Sequence, residues 1–170
     1  PHVVRLVDAF VSDDLTRGFI VTELCAGGDL ATFAHRAFDD ANVARGCCRA
    51  VLWALSYLHS LGVVHGDVKP QNVVVDADGV PKICDLGTAR AAANSASPLT
   101  TTRGVGAVQA TFAYAAPEVA AHHRPTAASD VYSFGVLVEE VTRTRPYAHD
   151  AKWSDFISRL KDRDPDKRPS

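Results

Sequence analysis

The sequence predicts an α+β chain that is mainly helical. Apolar residues recur at helical spacing between Ala41 and Leu61 and again between Ser129 and Val141, and two stretches, 3–24 and 73–84, set β-branched runs around turn-forming residues. At 170 residues the chain can hold one domain with its own core. Apolar residues at 46% and charged residues at 22% are ordinary for a soluble globular protein and far from disorder-prone composition.

Val3 to Val11 and Phe19 to Leu24, rich in β-branched and aromatic residues, flank the polar stretch Ser12 to Gly18 and predict a hairpin. After the Gly27-Gly28 break, Asp29 to Phe38 predicts a short helix, with Asp29 suited to satisfying the free amides at its start. Val43, Cys47, Ala50 or Val51, Ala54, Leu55 and Leu58 mark the buried face of a long helix over 41–61, and Gly62 stands where it ends. Val73-Val74-Val75 and Val80 to Cys84 bracket Asp76-Ala77-Asp78-Gly79, the composition of a tight turn. Residues 88–110, dominated by Thr, Ala, Ser and Gly without a sustained period, predict a surface loop. A helix follows from Ser129 to Val141, with Ser129 or Asp130 near its start. Trp153, Phe156, Ile157 and Leu160 give one more amphipathic set.

Eighteen basic against twenty acidic residues leave a net charge of -2, which argues against nucleic acid or an anionic membrane surface as partner. No apolar run approaches the ~20 residues of a membrane span, and the first residues lack a signal-peptide pattern. The four cysteines, Cys25, Cys47, Cys48 and Cys84, have neither metal-ligand spacing nor the density of a disulfide scaffold, so reduced thiols in an intracellular, cytoplasmic protein are expected. The absence of methionine suggests a piece of a longer translation product.

Three blocks carry the chemistry: His65-Gly66-Asp67-Val68-Lys69-Pro70-Gln71-Asn72, then Asp85-Leu86-Gly87, then Ala116-Pro117-Glu118. Singly, Asp67 reads as a turn former, Asn72 as a loop residue, Asp85 as a hairpin end and His65 as a satisfied core histidine. Jointly, in this order and at these separations, they resemble the catalytic loop, metal-binding loop and activation-segment end of a eukaryotic protein kinase. The resemblance runs from Val3 to Ser170 and implies a partial kinase domain, with 1–24 a two-stranded remnant of the small lobe and 25–170 the mostly helical large lobe.

The activity it implies is ATP-dependent, magnesium-assisted phosphorylation of protein Ser or Thr hydroxyls. In that reading Asp67 orients the acceptor hydroxyl and takes its proton, Lys69 neutralises the transferred phosphate, and Asn72 and Asp85 hold Mg2+ through hard oxygen donors. Lys69, with Thr111 ahead of Tyr114-Ala115-Ala116-Pro117-Glu118, is similar to the serine/threonine type, and Thr111 is expected to bond Asp67 and Lys69. Phe19 to Leu30 looks like the strand and hinge that hold adenine. There Thr22 is the gatekeeper, the Glu23 carbonyl and Cys25 amide face the adenine edge, and Asp29 lies near the ribose. Glu118 and Arg168 match a family ion pair that anchors the activation segment, and Asp130 matches the aspartate that braces the catalytic loop.

Departures are as informative. Gly66 replaces the family's arginine, which pairs with a phosphorylated activation loop, so phosphorylation of Thr100, Thr101 or Thr102 is expected to alter activity little. Leu86 replaces phenylalanine with another apolar group, and Ala110 replaces glycine. The substrate-docking helix expected near 148–152 is missing. No Gly-rich phosphate loop or ion-paired lysine strand occurs in these residues, so the chain alone is expected to transfer phosphate poorly or not at all. The rival reading is a non-catalytic interaction module that keeps the scaffold.

Overall fold

The computed structural model describes residues 1–91 and 113–169. Its first two strands, β1 (Leu6–Val11) and β2 (Gly18–Thr22), form an antiparallel hairpin closed by Ser12, whose amide donates to the Arg17 carbonyl at 2.8 Å. The register steps between Leu6/Thr22 and Asp8/Val21, which leaves Val7 as a bulge that strengthens the local twist. All residues of its two strands are exposed, and Phe10 stacks on Phe19 at 5.1 Å.

The strand expected from Val3 begins instead at Leu6. Val3 makes a parallel bridge to Ile83, with the Val4 amide on the Ile83 carbonyl at 2.9 Å and the Ile83 amide on the His2 carbonyl at 2.8 Å. The free edge beside Ile83 satisfies the backbone of residues 2–4, and that requirement outweighs the continuity of the apolar run.

β3 (Gly28–Asp29) leads into α1 (Leu30–Ala37), where the Asp29 carboxylate accepts from the Thr32 amide at 2.8 Å. α2 (Ala41–Ser60) is capped by Asp40 and ends at Gly62, whose φ of 69° needs no Cβ penalty. Its inward face is Ala44, Cys47, Cys48, Ala50, Val51, Ala54, Leu55 and Leu58. Val43, expected inside, is exposed, because Ala44 takes the inward position one residue on.

β4 (Val63–Val64) precedes the loop that carries Asp67, Lys69 and Asn72, and β5 (Val73–Val75) and β6 (Pro81–Ile83) form the expected second hairpin. β3, β5 and β6 make a three-stranded antiparallel sheet. In its turn the Asp76 carboxylate accepts from the amides of Asp78 at 3.0 Å and Val80 at 2.9 Å, and Gly79 takes φ 80°. β7 (Arg90–Ala91) pairs with β4, so the region expected to be loop from residue 88 opens with a short strand. The remainder of that loop lies outside the described residues.

α3 (Pro117–Ala120) is a single turn, and α4 (Ala127–Thr142) follows. α4 starts two residues before Ser129, because Thr126 caps it in a reciprocal box with Ser129, and Asp130 is thereby freed for another role. A 3-10 turn at Pro146–His149 runs directly into α5 (Ala151–Leu160), capped by Asp150. The core joins the inward faces of α1, α2 and α4 to β5 and β6, with Phe38 and Phe134 fully buried. Burying each such side chain contributes about 1.5–3 kcal/mol. No helix among the described residues is long and apolar enough to cross a membrane.

Candidate active site

Asp130, in the first turn of α4 and 1% exposed, fixes the loop that follows β4. One carboxylate oxygen accepts from the Gly66 amide at 2.8 Å. The other accepts from the His65 amide at 2.8 Å and the His59 Nε2 at 2.9 Å. Gly66 has φ 75°, a left-handed conformation that glycine adopts without strain. The fully buried His65 ring accepts the Asp67 amide at Nδ1, 3.2 Å away, and donates from Nε2 to the Cys84 carbonyl at 3.0 Å.

These bonds leave little freedom to Asp67, which is 4% exposed. Its Oδ2 lies 3.0 Å from Lys69 Nζ and accepts from Asn72 Nδ2 at 2.8 Å, and the same Nδ2 donates to the Asp67 carbonyl at 2.8 Å. The 3-10 turn Pro70–Asn72 makes this possible, since it brings the residue five places along back over Asp67. With Nδ2 engaged, the remaining polar atom of the Asn72 side chain is its acceptor oxygen.

Asp85 joins this group through the backbone. The amide of its neighbour Cys84 donates to the Asn72 carbonyl at 2.9 Å while the Cys84 carbonyl receives His65, so the strand end is bonded to the 65–72 loop on both sides. Asp85 itself takes φ 60° and ψ 68°, is exposed, and accepts from the Gly87 amide at 3.2 Å. Thr88 closes the arrangement by donating to the His65 carbonyl at 3.0 Å. Asp67 is thus in direct contact with Lys69 and Asn72, and the strand end that carries Asp85 is tied to the same loop through Cys84. Thr111 lies outside the described residues.

On the opposite approach, Thr22 is exposed and pairs with Leu6. The Glu23 side chain accepts from the Arg5 amide at 2.8 Å and from Lys82 Nζ at 2.8 Å. Among the described residues no hydrogen bond takes up the Glu23 carbonyl or the Cys25 amide. Cys25 is half-buried, and burial first, then the Glu23 charge, pushes its thiol up. Gly27 donates to the Val75 carbonyl at 2.8 Å, and a Cβ there would sit 2.8 Å from that oxygen, so only glycine permits this approach of the segment to β5. Asp29 spends a carboxylate oxygen on capping α1.

Glu118 and Arg168 form a bidentate pair at 2.6 and 2.8 Å, and Arg168 also donates to the carbonyls of Asp162 and Ala128. The arginine and its hydrogen bond hold the Glu118 carboxyl below the usual carboxylate range.

The protein kinase domain family matches residues 1–169. The chain belongs to the protein kinase family. Among its kinase relatives, a serine/threonine-protein kinase, drp72, of Corynebacterium efficiens is 39% identical over 150 residues, covering 86% of this chain and 28% of that protein. The calcium/calmodulin-dependent protein kinase cmkA of Emericella nidulans is 32% identical over 201 residues, covering 100% of this chain and 46% of the relative. PknA of Mycobacterium tuberculosis is 41% identical over 117 residues, covering 68% of this chain and 26% of that kinase. The chain therefore spans between about a quarter and a half of these relatives' lengths. The motifs singled out Asp67, Lys69, Asn72 and Asp85 as candidates, but nothing in the sequence marked Lys82, whose partner Glu23 is 59 residues away, or His59, whose partner Asp130 is 71 residues away.

Proposed function

We propose that the chain is the catalytic portion of a serine/threonine protein kinase that transfers a phosphoryl group from ATP to a protein hydroxyl. The observation that supports this best is the contact of Asp67 with both Lys69 and Asn72 beside the Cys84-Asp85 strand end. Asp67 orients the acceptor Ser or Thr hydroxyl and takes its proton, and the neighbouring ammonium of Lys69 meets the moving phosphate charge. Thr111 is assigned to support Asp67 and Lys69.

The donor set suits Mg2+: the Asn72 amide nitrogen is engaged by Asp67, which turns its oxygen to the ligand role, and Asp85 adds a carboxylate. When bound, the ion neutralises the phosphates. Adenine is received by the Glu23 carbonyl and Cys25 amide beside Thr22, with Asp29 toward the ribose. The rival reading, a non-catalytic interaction module, draws on the exposed β1–β2 hairpin. It gives no reason for a buried carboxylate to be held between an amide and an ammonium.

Phosphate incorporation from ATP into a protein substrate by the full-length product tests the proposal. Asp67→Ala is expected to lower kcat by about 10²–10⁴-fold. Equal incorporation by the variant and the parent protein rejects the assignment.

A further inference from the structure

Lys82 ends between two carboxylates, with Nζ 2.8 Å from Glu23 Oε2 and 3.2 Å from Asp76 Oδ2. The three side chains are only 13%, 19% and 18% exposed, for Lys82, Glu23 and Asp76 respectively. Glu23 uses its other oxygen on the Arg5 amide at 2.8 Å and donates its own amide back to the Arg5 carbonyl at 3.0 Å. Lys82 sits in β6 opposite Val74, three residues before Asp85. One cation therefore joins the hinge segment, the incoming chain at Arg5, the β5–β6 turn and the strand that leads to the metal-binding loop. The hydrogen bond from Lys82, and after it the Arg5 amide, holds the Glu23 carboxyl below its ordinary range. The same contact holds the Lys82 ammonium above its own, so both stay charged at neutral pH.

We infer that Lys82 is a positioning residue for nucleotide binding, holding the Glu23 side chain so that the Glu23 carbonyl and Cys25 amide keep a fixed place relative to Asp85. This rests on the nucleotide reading of residues 22–29 proposed above. Without Lys82, the half-buried Glu23 carboxylate loses its counter-charge and turns toward water, and the backbone that meets adenine moves with it. Asp67, Lys69 and Asn72 hold one another within the catalytic loop and are unaffected. The expected loss therefore falls equally on ground state and transition state, raising KM for ATP while kcat is kept.

The test uses the full-length product with ATP and with adenosine, which lacks phosphates. Lys82→Met is expected to weaken both by roughly tenfold with kcat within about twofold of the parent, and Lys82→Arg to restore affinity. Glu23→Gln is expected to reproduce the loss, with the double variant no worse than either single one. Unchanged adenosine affinity in Lys82→Met and in Glu23→Gln overturns the inference. So does a loss confined to ATP, which would mean that the cation acts on phosphates. A parent protein that binds neither ligand overturns the nucleotide reading itself, and this inference with it.

Discussion

Arg168 has no exposed side-chain surface and divides its guanidinium between the Glu118 carboxylate and the carbonyls of Asp162 and Ala128. Its removal leaves a largely buried carboxylate without its counter-charge, a loss that far exceeds that of a surface pair. Arg168→Ala is expected to lower unfolding free energy by about 3–5 kcal/mol, measured by urea denaturation. The depressed Glu118 carboxyl gives this contact a pH signature. A group whose folded pKa lies below its unfolded value stabilises fully above the unfolded value and loses that contribution as pH falls through the folded one. Stability is therefore expected to fall as pH drops below about 4.5, with a shallower slope in Glu118→Gln. Both partners were evident from motif position alone. His59, by contrast, reads in the sequence as an ordinary residue of the last turn of α2, and only the approach of Asp130 from 71 residues away gives it a partner.

At the level of elements, α4 and α5 meet over Gly135. A Cβ at that position would stand 2.8 Å from Leu160 Cβ and 2.8 Å from Lys161 Cγ, closer than van der Waals packing permits. Alanine would gain up to about 1 kcal/mol of helix propensity but forces the two helices apart at a cost of about 1–3 kcal/mol. Gly135→Ala is expected to lower the melting temperature, and an equal or higher value would mean that α5 shifts without cost. Helix existence was legible because a 3.6-residue period survives in any context. Helix ends were less so: Thr126 starts α4 through a reciprocal bond with Ser129 that a reading with Ser129 or Asp130 near the start did not include. The inward face of α2 begins at Ala44 and not at Val43, a one-residue rotation that hydrophobicity alone does not decide.

For the whole molecule, the proposed site draws on a loop after β4, the end of β6 and the segment after β2, so a ligand that touches all of them should stabilise the assembly. Magnesium-ATP at a hundredfold excess over its Kd is expected to stabilise the full-length protein by about 2.7 kcal/mol, read as a rise of several degrees in melting temperature. Asp85→Asn is expected to cancel most of that rise, and a full rise in the variant would remove Asp85 from the metal site. The contact of Asp67 with Lys69 and Asn72 was legible because the three are close in sequence and one turn of 3-10 helix suffices to gather them. The contact of Lys82 with Glu23 and the bridge from Val3 to Ile83 were not, because the partners lie 59 residues apart in the first case and about 80 in the second. That bridge has a mechanical consequence. Tension applied at Pro1 is carried by the bonds of His2 and Val4 to Ile83, two residues before Asp85, so a pull on the incoming chain loads β6 before it strains the segment that follows β2.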